Sequence, residues 1–329
     1  MNTPLWTVNR AGQPGAALAE CLRAATAAPS IHNSQPWRFR LGHGIEVHAD
    51  RTRLLPAIDP TGRELMISLG AAILNLRLAI LDHGRLPLLR LLPEPTNPDL
   101  AARVTIGHPV RPDTTIQTLA AAIPRRHTNR HPFHNTPVPA DVLDELHAAA
   151  DVEGARLART DPVGRDAILS LVRTADDWQR AEHRYRAELT TWTTTDHTRP
   201  DGIPATAFGP HDSLAALPLR DFGLTRPDAP RRTATFEPHP TIVLLSTFGD
   251  SPRQWLRAGQ ALQRVLLTAT IRGLAATPMT QPLEYAELRN LLVDTRQGMA
   301  AQVILRLGYG PPAAGTPRRP LSEVLASPA

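Results

Sequence analysis

The chain has 329 residues, 42% hydrophobic and 20% charged, with a single cysteine. That is enough apolar material for one large or two ordinary domains with real cores, and it excludes a disordered, collagen-like or disulfide-stapled protein. The 36 basic residues are all arginines against 31 acids, and the net +5 is spread along the chain, so a nucleic-acid partner is not expected.

No basic stretch followed by an apolar run opens the sequence, and no later segment is read as a bilayer span. The expectation is a cytoplasmic protein with no membrane partner. Leucines three to four apart predict a helix over residues 16–28, in which Cys21 reads as a small core residue and not as a nucleophile. Residues 27–39, AAPSIHNSQPWRF, turn through Pro29 and gather Ser30, His32, Asn33, Ser34 and Gln35 before a strand that starts at Trp37. Such a loop has the capacity to hydrogen-bond a planar heteroaromatic ligand, although a plain helix end and proline turn has the same composition. From Gly70 to Gly84, GAAILNLRLAILDHG reads as an apolar helix closed by a glycine, and LAARVTIG after it as a buried strand. A proline-containing stretch at 108–115 reads as a linker.

Beyond it, IPRRHTNRHPF at 123–133 places Arg125, Arg126, Thr128 and Arg130 within six residues. Guanidinium forks pair bidentately with phosphate oxygens and a hydroxyl adds a neutral bond, so the cluster suits a terminal phosphate; a solvated charged linker is the bland alternative. His127, His131 and His134 would form a metal-binding face only on a helix, which Pro132 opposes. With no HExxH, CxxC or clustered carboxylates, no metal site is expected, and GxSxG, GxxxxGK and GxGxxG are absent as well.

Helices are predicted over 140–150 and 163–189. Between residues 190 and 240, Pro200, Pro204, Pro210, Pro218, Pro227, Pro230 and Pro238 break any periodicity, while Trp192, Phe208, Leu214, Leu217 and Phe222 predict a loop that packs on something, as a lid does. A buried strand follows at 239–247, then a second helix from Gly259 to Gly273, GQALQRVLLTATIRG, and a strand in MAAQVILRLGYG from Met299. A last basic cluster, TPRRPLSEV, lies at 316–324.

The two glycine-to-glycine helices agree in length and in apolar offsets, Ile73 with Leu262 and Leu78 with Leu267. Each is preceded by a helix and followed by a strand. The unit therefore reads as occurring twice, with halves at 1–115 and 116–329 in a single-chain pseudo-dimer and ligand sites at the internal interface.

Together these segments resemble the flavin-dependent nitroreductase superfamily, in particular its Acg-like actinobacterial branch of tandem-duplicated chains. PSIHNSQPW is similar to the family loop PSxxNxQPW that lies along the isoalloxazine ring, and RRHTNR to its phosphate motif. RLGYG and TPRRP are similar to its last strand and arm. ATPMTQPLE at 276–284 stands where the family brings a backbone N–H near flavin N5.

The resemblance implies an α+β, nitroreductase-like fold, internally duplicated, with a Pro-rich lid insertion at 190–240. It implies FMN as cofactor, held in one composite site, because the flavin-ring loop occurs only in the first half and the arginine motif only in the second. Arg126, Thr128 and Arg130, with Arg318 or Arg319, would hold the phosphate, with His127 nearby. Ser30, His32, Asn33 and Gln35 would line the flavin, and Met279 and Thr280 would present backbone near N5. The implied activity is two-electron oxidoreduction of a small organic substrate, with no protein acid or base required and NAD(P)H as a candidate donor. A protein that sequesters FMN beneath a closed lid is the alternative. The assembly would be a monomeric pseudo-dimer or a further homo-oligomer of it.

Overall fold

The computed structural model describes Trp6 and residues 14–196, 198–229 and 231–326; Pro230 and the start of the chain lie outside the described residues. In chain order the elements are α1 (Ala16–Thr26), β1 (Trp37–Leu41), β2 (Ile45–Ala49), α2 (Arg63–Asp82), β3 (Arg85–Leu91), β4 (Leu100–Pro109), α3 (Thr114–Ala122), α4 (Ala140–Val152), β5 (Arg156–Arg159), α5 (Pro162–Ala181) and α6 (His183–Trp192). Two short pairings follow, β6 (Thr193–Thr194) with β7 (Ile203–Pro204) and β8 (His211–Asp212) with β9 (Thr233–Ala234). The chain then runs through β10 (Thr241–Phe248), α7 (Pro252–Ile271), β11 (Ala275–Pro278), α8 (Ala286–Arg289), β12 (Met299–Gly308) and α9 (Leu321–Val324).

Two antiparallel four-stranded sheets are formed, ordered β1-β2-β4-β3 and β5-β10-β12-β11. In each, a 20-residue helix connects the second strand in sequence to the third, α2 in the first sheet and α7 in the second. Each helix covers its own sheet, and the two helices pack on one another at the centre of the molecule.

These helices start seven residues before the glycines that the apolar run suggested as their beginnings, at Arg63 and Pro252. The start of α2 is set from outside the run, where the Asp59 carboxylate accepts the backbone N–H groups of Glu64 and Leu65; that of α7 is set by a proline in its first turn. Gly70 and Gly259 mark the crossing instead. A Cβ on Gly70 would lie 2.2 Å from the Leu256 carbonyl oxygen, and one on Gly259 2.0 Å from that of Ile67. The downstream glycines do end the helices, since Gly84 and Gly273 take left-handed φ values of 73° and 71°. By length and composition α2 is apolar enough to span a bilayer, contrary to the expectation that no segment is; here it is mostly buried inside the protein.

Cys21 is fully buried, and burial beside Glu20 pushes its thiol up to about 12, which suits a core residue and not a nucleophile. The long helix read at 163–189 is two helices, broken where Glu182 adopts extended backbone. The chain after β12 crosses back to the first sheet, where the Ala326 N–H donates to the Phe39 carbonyl at 2.8 Å on the edge of β1.

A buried ion pair joins β12 to the Pro-rich segment. Arg306 has no exposed surface, pairs with both carboxylate oxygens of Glu237 at 2.5 and 2.7 Å, and sits 3.6 Å from the centre of the Phe133 ring. Removing one partner of such a pair leaves an uncompensated buried charge. Glu237→Gln is therefore expected to lower the unfolding free energy by about 3–5 kcal/mol, read from the shift of the urea midpoint; a shift equal to that of an exposed substitution would show the pair to be dispensable.

Candidate functional site

The loop after α1 is held in an uncommon backbone conformation. His32, Asn33 and Gln35 have φ values of 47°, 53° and 50°, a region that side chains other than glycine enter at a cost and hold only when the surroundings fix them. Ser30 Oγ accepts the Gln35 N–H at 2.9 Å, and Ser68 Oγ on α2 accepts that of Ile31 at 3.1 Å. Asn33 Nδ2 donates to the carbonyls of Gly202 and Pro317, and Gln35 Nε2 to that of Pro200. The sequence reading laid these two amides along a flavin. Their hydrogen bonds instead fasten the loop to the Pro-rich segment and to the C-terminal arm, leaving Ser30 and His32 as the loop's polar groups on the adjoining cavity.

The arginine motif is extended, not helical. The 3₁₀ turn before it ends at Arg125, and Thr128 bridges to Ala276 of β11. The three histidines spaced four and three apart therefore do not share a helical face. Four residues of extended chain span roughly 13 Å, so Arg126 and Arg130 serve different places.

Arg126 is buried and meets Arg318 from the C-terminal arm, and the two guanidiniums share the Ala27 carbonyl at the end of α1 at 3.4 and 3.3 Å. Among the described residues, every hydrogen-bond acceptor of the pair is a carbonyl, hydroxyl or amide oxygen, and the Nε atoms of both lack a partner. Burial and mutual repulsion lower Arg126 to about 9, and burial lowers Arg318 to about 10. His127 stands beside them, lowered by burial and by the same two arginines. Its ring touches Gly315, where a Cβ would come within 2.9 Å. Two cations held together without a carboxylate make a seat for an anion.

Arg319, the other candidate for a phosphate, is spent elsewhere. It bonds Glu323, and its backbone N–H donates to Gln35 Oε1 at 2.8 Å. Arg130 is also apart from the Arg126 and Arg318 pair, donating to the Ala207 carbonyl at 2.8 Å with Arg220 as its charged neighbour.

A cavity lies beside Thr128 and Arg130. Ser30, His32, Glu64 and Ser68 line it from one side, Thr128, Arg130, Thr277 and Thr280 from the other, and Leu219, Arg220 and Phe222 of the Pro-rich segment complete the wall. Met279 does not present a backbone donor here, because its N–H is taken by the Ile304 carbonyl at 3.0 Å and its side chain is in the core. Thr280 is the member of that pair on the cavity.

Sequence reasoning missed Arg220 and Glu284. Arg220 pairs with Glu284, reaches Thr280 Oγ1 at 3.2 Å and Tyr185 Oη at 3.2 Å, and so pins the Pro-rich segment to the turn after β11. Nothing local marks either residue, since their partnership spans more than sixty positions.

Two carboxyls near this region carry a pH signature. Asp59, which caps α2, is pushed up to about 7 by burial and by Glu64; Glu188 on α6, which accepts the N–H groups of Ala57 and Ile58, is pushed up to about 7, mainly by burial. Unfolded, such groups titrate near ~4, so the folded state holds their protons more tightly. Their contribution to stability is full below about pH 4 and is lost as pH rises through about 7. Asp59→Asn is expected to flatten the decline of unfolding free energy between about pH 4 and 7, measured by urea titration; an unchanged slope would exclude Asp59 as its source.

No family model matches the chain. Whole-chain relatives do. A Mycobacterium tuberculosis protein named "Putative NAD(P)H nitroreductase Rv3131" is 35% identical over 312 residues, covering 92% of this chain and 89% of its own length. The chain belongs to the nitroreductase family. A second M. tuberculosis nitroreductase relative, acg, is 30% identical over 327 residues and covers 93% of this chain and 94% of its own. Among solved nitroreductase structures, NfnB from Mycobacterium smegmatis in complex with NADPH has 17% identity and a TM-score of 0.39, with 63% of this chain and 96% of that chain covered. An FMN-bound nitroreductase from Bacteroides fragilis has 15% identity and a TM-score of 0.35, with 63% and 94% covered.

Proposed function

We propose that this nitroreductase-family chain is a tandem duplication, with halves at 1–115 and 116–329, that binds one FMN between the halves and carries out two-electron oxidoreduction of a small organic substrate. The observation that carries the reading is the pair of guanidiniums, Arg126 and Arg318, meeting without a carboxylate among the described residues, with Arg126 two positions along the chain from Thr128, which lines a cavity walled by both halves. The unpartnered Nε atoms and the buried, unpartnered His32 nitrogens fit a ligand with an anionic end and a planar polar body. The identical order of the two sheets supports the duplication.

In this reading Arg126 and Arg318 hold the phosphate, with His127 against it, and Thr128 adds a hydroxyl. Ser30 and His32 face the ring from the first half, and Thr277 and Thr280 from the second. When bound, FMN supplies the acceptance and return of an electron pair. The protein positions it, and Arg130 favours negative charge that builds up beside it. No side chain is needed as acid or base. Leu219, Arg220 and Phe222 exclude water from the cavity and stand in the way of a nicotinamide donor. That packing is the specific observation favouring the second reading, an FMN-holding protein with little NAD(P)H turnover.

The test is the visible spectrum of the protein loaded with FMN and then desalted, followed by anaerobic addition of NADPH. Retained flavin bands that bleach support the oxidoreductase, retained bands that persist support the FMN-holding protein, and a colourless protein would overturn both.

A further inference from the structure

Phe222 stands between two polar groups that lack better partners. Its ring is edge-on to His32 at 5.2 Å between centroids, and the Arg130 guanidinium lies 4.5 Å from its centre. His32 is 4% exposed, and among the described residues neither of its ring nitrogens has a hydrogen-bond partner. Burial, with Arg220 and Arg130 nearby, holds that imidazole neutral, so it is able to donate from one nitrogen and accept at the other. Arg130 bonds the Ala207 carbonyl, and among the described residues no carboxylate is within ion-pair distance of it. The neighbouring Arg220 is already neutralised by Glu284, which leaves Arg130 as the uncompensated charge on the cavity. The aromatic face is a weaker partner for a desolvated guanidinium than an anionic oxygen is.

We propose that Phe222 is an internal plug in a slot that takes a planar aromatic ligand carrying a carboxylate or phenolate oxygen. The ligand's ring replaces that of Phe222, its anionic oxygen pairs with Arg130, and His32 supplies a neutral hydrogen bond. Phe222 belongs to the Pro-rich segment, whose backbone is fastened at Asn33, Gln35 and Glu284 and, beside Phe222, through Asp221 to Arg231, while its ring is buried against a cluster that includes Tyr185, Leu189 and Phe208. With Arg220 and Asp221 anchored, the plug yields by rotation of its own side chain, at the cost of its contacts in that cluster. This names a ligand class for the same site, and it rests on the oxidoreductase reading for the ligand's role as substrate.

The test is calorimetric titration of benzoate, and of its uncharged counterpart benzamide, into the FMN-loaded protein, with retained FMN read separately from the visible spectrum. Benzoate is expected to bind at least about tenfold more tightly than benzamide, since one charge-assisted contact distinguishes them. Phe222→Ala is expected to strengthen benzoate binding several-fold by removing the competitor, and His32→Leu to weaken both ligands. Arg130→Leu should abolish the discrimination, and Arg130→Lys should retain part of it. Equal affinities for benzoate and benzamide in both wild type and Phe222→Ala would overturn the proposal, as would a Phe222→Ala protein that binds benzoate no better. If benzoate binds in the expected pattern to a protein that has lost FMN on desalting, the cofactor reading falls and the slot stands. If FMN is retained without discrimination, the slot alone falls.

Discussion

Gly259→Ala is expected to destabilise the protein by about 3 kcal/mol or more, at or beyond the upper end of what overpacking a core costs. The added carbon would lie 2.0 Å from the Ile67 carbonyl oxygen and 2.8 Å from the Gly70 Cα, both backbone atoms of the facing helix. Neither moves without separating α2 from α7, and Ala71, Ile73, Leu256 and Val265 on those helices have no exposed surface. Gly70→Ala should cost a similar amount, because its new carbon meets the Leu256 carbonyl at 2.2 Å and the Gly259 Cα at 2.9 Å. The double variant should fall short of the sum, since a single separation of the helices relieves both clashes. Gly42→Ala is the control, with nothing within 4 Å of the added carbon, and should stay within about 0.5 kcal/mol of wild type. Chemical unfolding midpoints decide it; a Gly259→Ala protein as stable as the Gly42→Ala control would mean that the helices do not cross at these glycines.

The helices were legible because a buried face repeats along the chain, and that repeat needs no knowledge of what it packs on. Their starts were not. Asp59 caps α2 from beyond the apolar run, and the glycines that look like boundaries are fixed by a helix 189 positions away. The site divides in the same way. The chemistry of Asn33, Gln35, Arg130 and Arg319 is visible in their side chains, but their partners are not. The amides of Asn33 and Gln35 suit a heteroaromatic ring as well as they suit the carbonyls of Pro200 and Gly202 that they meet. The spacing of Arg126 and Arg130 looks like one cluster only until the backbone is known to be extended. Arg318 was distinguishable from Arg319 only once Glu323 was found to engage the latter.

The Arg126→Ala, Arg318→Ala double variant is expected to lose at least about a hundredfold in FMN affinity, since each charge-assisted hydrogen bond to a phosphate is worth roughly 1.5–3 kcal/mol. Loss of affinity alone does not locate the phosphate, because Arg318 also bonds Asn33 and the Ala28 carbonyl and so supports the loop that carries His32. The discriminating quantity is the ratio of FMN to riboflavin affinity. Riboflavin lacks the phosphate, so wild type should prefer FMN strongly and the double variant should bind the two about equally, whereas collapse of the loop would weaken both and leave the preference. Arg130→Ala should keep most of the preference, because Arg130 faces Phe222 and Ala207 and not the paired guanidiniums. Inorganic phosphate should compete with FMN on wild type and not on the double variant. A double variant that retains the wild-type ratio would remove the anion from this seat and leave the two arginines as clasps between the end of α1 and the C-terminal arm.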